Sequence, residues 1–167
     1  RKRNPSCLLV GLDLFAPYLL RCKSSAVYDS LILGDGRSLP FKDHSFDVVV
    51  AAEVIEHLNQ EDAARFLDEI ERVAKNTVII TCPLGYLSQD IYDGNPFQLH
   101  RSGYSPADFR SRGYRVRGAG LRCAWPGGEP TLWQSLLAAL SCLFPFTYYF
   151  PEFAGAMVCV KRLRLEP

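Results

Sequence analysis

Residues 46–52 read Phe-Asp-Val-Val-Val-Ala-Ala, and the chain continues as Glu-Val-Ile-Glu-His-Leu over residues 53–58. An apolar run of this length, rich in β-branched valine, is typical of a strand that is buried on both faces of a parallel sheet. From Gln60 to Lys75 apolar side chains recur at helical spacing with charged residues between them, and Asn59 can cap that helix. A buried strand followed by an amphipathic helix is the repeating unit of an α/β fold.

The same alternation continues on both sides of this unit. We predict short helices and further strands, the helices over residues 17–26 and 105–112 and the strands over residues 7–14, 30–33, 77–81, 114–119 and 157–163. This order indicates a single domain over residues 1–167, with a largely parallel sheet and helices on both faces. Ligands of such sheets bind beyond the carboxyl ends of the strands, so we expect the site on that rim. The residues predicted to lie there are Asp13, Asp35, Ala52, Glu53, Cys82 and Pro83.

The composition is that of an ordinary globular domain. The chain has 167 residues, of which 48% are hydrophobic and 22% charged, and its net charge is +1. No whole-molecule field therefore points to nucleic acid or to an acidic membrane, and we expect no nucleic-acid partner. The six cysteines are scattered without a C-x-x-C pair, which favours reduced thiols in a cytoplasmic setting. Their spacing supports neither a disulfide framework nor a zinc site, and no metal is expected.

Two acids lie at the ends of predicted strands, and we interpret them as candidate ligand-binding residues. Asp13 ends a strand, where an acid can accept both hydroxyls of a ribose. An acid at that position can also simply favour the start of the next helix. Asp35, with Gly36 behind it, can accept from an adenine amino group while the adjacent backbone N–H donates to the ring. The alternative for this pair is an ordinary Asp-Gly turn.

Three segments taken together resemble the class I S-adenosylmethionine-dependent methyltransferases, in particular the methyltransferase type 11-like branch that modifies small molecules and lipids. They are Gly11–Leu14, Gly34–Phe41 and Ser45–Leu58. The resemblance implies a Rossmann-like sheet, mostly parallel with an antiparallel last strand, and helices on both faces. It also implies S-adenosylmethionine as the cofactor, and a small-molecule or lipid-like acceptor.

The resemblance also implies which residues meet the cofactor. Asp13 matches the acid that holds the ribose diol, and Asp35 matches the acid at the adenine amino group. Ala52 matches the residue whose backbone faces the methionine part, with Glu53 just beyond it, near the expected acceptor. The whole predicted cofactor set is Asp13, Leu14, Asp35, Gly36, Arg37, Ala52 and Glu53.

One part of the family pattern is missing from these residues. The family's first strand and its glycine-rich loop, which meets the carboxypropyl end of the cofactor, should lie upstream of Arg1, and the sequence contains no G-x-G-x-G. In this fold that strand lies in the middle of the sheet, so its loss would leave backbone edges unpaired. We therefore expect the domain to be incomplete at its N-terminus.

Methyl transfer from a sulfonium is an in-line displacement, which depends chiefly on positioning the two reactants. A base is needed only if the nucleophile must lose a proton, and the candidates are Glu53, His57 and His100. The catalytic residue is not determined by the sequence. The Glu56-His57 pair matches residues that mainly turn the chain off the strand. His100, in the long loop after the Cys82 strand, reads as a surface histidine without a catalytic role.

Two further segments suggest partners. Five arginines between residues 110 and 122 form either a solvated face or a site for a phosphate-bearing acceptor. Residues 131–150 carry no charge and reach transmembrane length, but their polar residues and their place between two strands argue against a membrane span. We expect this segment to cover the acceptor site, or to contact a membrane surface or a partner of an otherwise cytoplasmic protein.

Two other functions are alternatives to a methyltransferase. A short-chain dehydrogenase would need a Tyr-x-x-x-Lys pair, and no tyrosine here has a lysine four residues later. The second alternative is a non-catalytic binding or scaffold domain that keeps the methyltransferase fold. The missing glycine-rich loop is the observation in its favour.

Overall fold

The computed structural model describes residues 7–121, 131–133, 136 and 146–163. Within them the strands are β1 (Val10–Asp13), β2 (Ser30–Leu33), β3 (Phe46–Ala52), β4 (Ala74–Pro83), β5 (Arg115–Leu121) and β6 (Ala154–Arg162). The α-helices are α1 (Ala16–Ser24), α2 (Gln60–Val73), α3 (Pro106–Ser111) and the four-residue α4 (Phe146–Tyr149). Three short 3-10 helices cover Ile55–His57, Pro96–Gln98 and Pro151–Phe153.

The described strands form two sheets. β1 and β2 are a parallel pair, in which Asp13 lies opposite Leu33. The other sheet has the order β3-β4-β6-β5, with β3 parallel to β4 and β6 antiparallel to both of its neighbours. The predicted fold class, with its antiparallel last strand, is confirmed.

The single continuous sheet that we predicted is instead divided between β1 and β3. Among the described residues β1 pairs with β2 alone and β3 with β4 alone, so each keeps one backbone edge without a partner strand. Strands pair only where their backbones lie about 4.8 Å apart, so the two groups of strands form separate ladders. The division occurs at the position where the family pattern places its first strand.

The core lies on one face of the four-stranded sheet, under α2. Asn59 caps this helix as predicted, accepting a hydrogen bond from the Asp62 N–H at 2.8 Å. The apolar face of α2 packs in one cluster with the inward-facing side chains of β4, β5 and β6. Buried members of this cluster include Phe66, Leu67, Ile70, Val78, Ile80, Cys82, Val116, Met157 and Cys159.

Strand β4 begins earlier than the sequence indicates. The helical pattern extends to Lys75, yet α2 ends at Val73 and β4 starts at Ala74. Ala74 is fully buried and lies opposite Phe46 in the β3–β4 register. Sheet pairing therefore overrides the local helical preference of these two residues, as tertiary contacts commonly do.

The structure tests the expectations for residues 131–150 and for the cysteines only in part. Of the uncharged segment 131–150, the structure describes α4 and a few residues before it, and the rest lies outside the described residues. No helix in the described ranges has the length and apolar character to cross a bilayer. Cys82 and Cys159 are buried members of the core, and the cysteines in the described part of the chain form no disulfide.

Candidate functional site

The first predicted site residue, Asp13, lies at the carboxyl end of β1. Its Oδ1 accepts a hydrogen bond from the Phe15 N–H at 2.7 Å, which closes the turn into α1. Its backbone carbonyl accepts from the Gly34 N–H at 3.0 Å, which fixes the end of β1 to the loop after β2. Only Oδ1 of Asp13 takes part in this turn hydrogen bond. Oδ2 does not, and the Asp13 side chain is half-buried. Leu14, the next residue, is partly exposed at the start of the helix.

Asp35 and Arg37, both predicted to lie beside the adenine, are bound to each other. Arg37 donates to both carboxylate oxygens of Asp35, through Nε at 2.9 Å and Nη2 at 2.6 Å. This charge-assisted hydrogen bond holds the pKa of Asp35 below its ordinary value. Arg37 also reaches Asp62 on α2 at 2.8 Å, so it ties the loop after β2 to the core helix. The Asp35 side chain keeps 33% of its surface exposed.

Gly36, between these two residues, lies close to α2. A Cβ at this position would come within 2.8 Å of the Phe66 ring. Because Phe66 is buried in the core, the ring has little room to move away. Glycine is therefore required here by close packing of the loop on the helix.

The third part of the predicted site is the end of β3. Ala52 is exposed and lies opposite Thr81 in the sheet. Glu53 follows with φ of 52°, in the left-handed region that residues other than glycine rarely adopt. Its N–H donates to the Thr81 carbonyl at 3.0 Å, and its carboxylate accepts from the Thr81 hydroxyl at 2.7 Å. Backbone strain of this kind concentrates at functional sites, so the conformation supports a role for Glu53.

Glu56 turns the chain away from β3 and anchors the long loop. Its backbone carbonyl accepts from the N–H groups of Arg101 and Ser102, at 2.8 Å and 3.1 Å. The structural role that the resemblance implies for this pair therefore agrees with the backbone contacts. Its carboxylate is different, because the side chain is 2% exposed and neither oxygen has a hydrogen-bond partner among the described residues.

The prediction that His100 lies on the surface is wrong. The residue is 6% exposed. Its ring packs edge-on against the His57 ring, and its Nδ1 lies 2.6 Å from the Leu87 carbonyl oxygen. The loop that carries His100 folds back onto the turn after β3, and sequence spacing alone cannot show that contact.

Burial shifts the pKa values of Glu56 and His57 in opposite directions. Desolvation, with a smaller effect from the nearby Glu53 carboxylate, raises the pKa of Glu56 to about 8. Burial also lowers the pKa of His57, and the neighbouring His100 lowers it further. Sequence analysis did not single out the Glu56 carboxylate, which is buried without a hydrogen-bond partner among the described residues. The available signal was an acid placed directly after two apolar residues that leave a buried strand.

A cleft of about 430 Å³ lies beyond the carboxyl end of β4. Its walls include Tyr86 and Tyr104, and two acids lie at its edge. Both acids are engaged elsewhere: Asp108 completes the capping box of α3, and Glu152 pairs with Arg110 at 2.8 Å. The cleft therefore offers aromatic surface and backbone groups to a ligand rather than free charge.

The predicted arginine run does not form a free basic patch in the described residues. Arg110 pairs with Glu152, and Arg112 pairs with Asp68 on α2. The Arg117 guanidinium lies 4.9 Å from the centre of the Tyr148 ring. Intramolecular partners thus occupy three of the five arginines, and Arg122 lies outside the described residues.

Parallel strand pairs followed by acids at their carboxyl ends, with an antiparallel last strand, define a Rossmann-like methyltransferase fold. A family model described as a methyltransferase domain matches residues 2–82 of this chain. A S-adenosylmethionine-dependent methyltransferase from Methanosarcina mazei has the same fold, with a TM-score of 0.60 at 12% identity, over 94% of this chain and 82% of that chain. The predicted resemblance to the class I S-adenosylmethionine-dependent methyltransferases is therefore confirmed, by a family model over residues 2–82 and by a shared fold.

Two curated relatives each match less than half of the sequence. One, from Methanocaldococcus jannaschii, is described as uncharacterised and is 33% identical over 82 residues, covering 47% of this chain and 34% of the relative. The other is the tRNA (carboxymethyluridine(34)-5-O)-methyltransferase of Arabidopsis thaliana, 27% identical over 73 residues, covering 43% of this chain and 18% of the enzyme. The matches thus span about a third or less of each relative's length.

Proposed function

We propose that this chain is the cofactor-binding domain of a S-adenosylmethionine-dependent methyltransferase that acts on a small-molecule or lipid-like acceptor. The observation that carries the proposal is the placement of Asp13 and Asp35. They follow two neighbouring parallel strands at the same edge, joined by the hydrogen bond from the Gly34 N–H to the Asp13 carbonyl. The matching family model and the shared fold support the same function.

The residues present fit the nucleoside half of the cofactor. Asp13 uses Oδ1 in the turn and can offer Oδ2 to ribose hydroxyls. The Asp35 carboxylate remains a third exposed, although Arg37 holds it. Ala52 ends β3 and is the residue whose backbone we expect to face the methionine part of the cofactor. When bound, the sulfonium of the cofactor supplies the methyl group for an in-line displacement.

Glu53 is the group we propose as proton acceptor where the methyl acceptor must lose a proton. It is exposed at the end of β3, and the Thr81 hydroxyl orients its carboxylate at 2.7 Å. His57 and His100 are less accessible, because both rings are enclosed between the turn after β3 and the long loop. An exposed, oriented carboxylate can take a proton and release it to water.

A non-catalytic domain that keeps this fold is the second candidate. The observation that favours it is the Asp35–Arg37 ion pair, which occupies the carboxylate that would meet the adenine amino group. In that case the loop after β2 serves only to fix the β1–β2 pair to α2. The two candidate functions predict different results for the binding of S-adenosylhomocysteine, the product formed from the cofactor.

Calorimetric titration of the full-length protein with S-adenosylhomocysteine separates the two candidates. The methyltransferase proposal predicts saturable binding with one site per chain. Absence of binding at high micromolar ligand would refute it and would favour the scaffold alternative.

The acceptor class needs its own experiment. A cell extract incubated with the protein and methyl-labelled S-adenosylmethionine can be fractionated into small molecules, lipids and RNA. We expect label in the small-molecule or lipid fraction. Label confined to RNA would contradict this acceptor class and would agree with the activity named for the Arabidopsis relative.

A further inference from the structure

Three side chains with metal-binding atoms meet behind the end of β3. Glu56 and His57 come from the short turn after the strand, and His100 comes from the long loop that precedes α3. One carboxylate oxygen and one nitrogen of each ring all lie within 4.8 Å of one another. The two rings are in contact, with their centres 4.8 Å apart. Glu56 and His100 are buried and His57 is half-buried.

Backbone contacts orient both imidazole rings in the same way. Nδ1 of His57 lies 3.3 Å from the Leu99 carbonyl, and Nδ1 of His100 lies 2.6 Å from the Leu87 carbonyl. A carbonyl can only accept, so each Nδ1 carries the proton and each Nε2 keeps its lone pair. Metal-binding histidines commonly have this arrangement, in which the second ring nitrogen is fixed by a carbonyl or a carboxylate.

The Glu56 carboxylate is the second, independent observation. Both oxygens are buried, the side chain is 2% exposed, and neither oxygen has a hydrogen-bond partner among the described residues. A buried carboxylate without a hydrogen bond or a counter-ion is costly. Its neighbours are the two imidazoles, whose ligand atoms lie within 4.8 Å of a carboxylate oxygen, and the nearby Glu53 carboxylate, which supplies no positive charge. A cation bound by all three side chains would satisfy the carboxylate and both lone pairs at once.

We propose that Glu56, His57 and His100 bind one divalent first-row transition cation of the Zn²⁺ or Co²⁺ type. The ligands are one carboxylate oxygen and the Nε2 atoms of the two rings. Two imidazoles with one carboxylate favour such a cation over Mg²⁺, which prefers an all-oxygen shell. Bonds of about 2.0–2.2 Å require the donor atoms to approach one another by about an ångström, within reach of small side-chain rotations.

This site differs from the expectation drawn from the sequence. The cysteine spacing indicated no metal, and the proposed ligands are two histidines and a glutamate instead. The histidines were separated in sequence and gave no ligand pattern. Three protein ligands also leave at least one coordination position for water or another oxygen ligand. The proposal does not depend on methyltransferase activity, because metal binding can be measured without any turnover.

The test is titration of the full-length, chelator-treated protein with Zn²⁺ by calorimetry and with Co²⁺ by visible absorption. We expect one ion per chain and the d–d bands of Co²⁺ with nitrogen and oxygen ligands. His57→Gln, His100→Gln and Glu56→Gln should each weaken Zn²⁺ binding by about 100-fold. His44→Asn is the matched control, because the His44 ring also contacts a backbone carbonyl but lies outside the cluster. Its affinity for Zn²⁺ should equal that of the wild type.

Thermal unfolding distinguishes loss of metal binding from loss of stability in the three variants of the proposed ligands. Without metal, Glu56→Gln should unfold at a temperature equal to or above that of the wild type, because it removes a buried unpaired carboxylate. With Zn²⁺, the unfolding temperature should rise for the wild type and His44→Asn but not for Glu56→Gln. Absence of stoichiometric Zn²⁺ binding would overturn the proposal. So would binding unchanged in all three ligand variants, or a Co²⁺ spectrum with thiolate charge-transfer bands.

Discussion

The rings of His57 and His100 lie edge to face, with their centres 4.8 Å apart and their planes at 61°. His57 belongs to the turn after β3 and His100 to the long loop before α3, so this contact joins two segments far apart in sequence. The loop is further held by the Glu56 carbonyl, which accepts from Arg101 and Ser102. Together these contacts hold the long, polar loop against the turn that follows β3.

His100→Leu should destabilise the protein even with a chelator present. Leucine roughly keeps the volume but removes the hydrogen bond between the ring and the Leu87 carbonyl, which costs about 0.5–1.5 kcal/mol. Denaturant unfolding measures this loss. The control is Ser88→Ala, an exposed position in the same loop, for which we expect a change within about 0.5 kcal/mol. Equal stability of the two variants would contradict the buried placement of His100.

Gly36→Ala should destabilise the contact between the loop after β2 and α2. The added methyl group would lie 2.8 Å from the buried Phe66 ring, and overpacking of this kind costs about 1–3 kcal/mol. Phe66→Leu provides the matched background, because it removes the ring that the methyl group meets. In a double-mutant cycle the cost of Gly36→Ala should shrink when Phe66 is already leucine. A cost that is equal in both backgrounds would show that the ring is not what excludes alanine.

The sequence predicts the local elements well where a pattern is complete within one segment. The valine run of β3, the apolar spacing of α2 and the caps at Asn59 and Ser105 each depend on neighbours a few residues away. All four are found in the structure. The same reasoning places Asp13 and Asp35 at the ends of their strands, because strand ends follow from strand positions.

The sequence could not predict contacts that depend on distant segments. The start of β4 at Ala74 depends on pairing with Phe46, and the burial of His100 depends on the turn at Glu56. Asp35 and Arg37 are close in sequence, but their ion pair also depends on residues from other segments that fix the arginine. Arg37 is fixed from its other side by Asp62 on α2. These are the residues for which the structure changes the interpretation of the site.

Glu69→Gln should remove a pH-dependent part of the stability. Glu69 accepts from Arg72 at 2.7 Å and from the Leu39 N–H at 2.6 Å. The Arg72 hydrogen bond holds the pKa of Glu69 below its ordinary value of 4.5. A lowered pKa stabilises the fold above about pH 4.5, and this stabilisation is lost as the pH falls through the folded-state pKa. We expect the wild type to exceed the variant by about 1–2 kcal/mol at pH 7 and by much less near pH 3.

Denaturant unfolding at several pH values between 3 and 7 measures this difference for Glu69. Glu61→Gln is the control, because Glu61 is exposed in the first turn of the same helix. Its difference from the wild type should stay small across the range. A Glu69→Gln difference that grows toward low pH would have the wrong sign and would contradict the assigned ion pair.

Glu53→Gln should lower the methylation rate by more than it weakens cofactor binding. The amide keeps the hydrogen bond from Thr81 but cannot take a proton, so kcat should fall by about 100-fold where the acceptor loses a proton. The Kd for S-adenosylhomocysteine should rise by less than about tenfold, because the amide can still accept hydrogen bonds at the same place. A kcat that is unchanged on such an acceptor would remove Glu53 from the reaction.

Asp13→Asn separates the cofactor role of Asp13 from its structural role. The amide oxygen can still accept from the Phe15 N–H, so the turn into α1 and the free energy of unfolding should be nearly preserved. The loss of charge weakens the hydrogen bonds to ribose hydroxyls, which contribute about 1.5–3 kcal/mol each when the acceptor is charged. The Kd for S-adenosylhomocysteine should therefore rise at least about tenfold. Asp13→Ala, which loses the turn as well, should abolish binding.

The matched control for Asp13→Asn is Asp47→Asn. Asp47 is an exposed acid on β3 that contacts the Asn76 amide at 3.3 Å, away from the predicted cofactor rim. Its substitution removes the same charge and should leave the Kd unchanged. If Asp13→Asn and Asp47→Asn had equal affinity for S-adenosylhomocysteine, Asp13 would serve only the turn into α1, because a ribose ligand held by this carboxylate must respond to the loss of its charge.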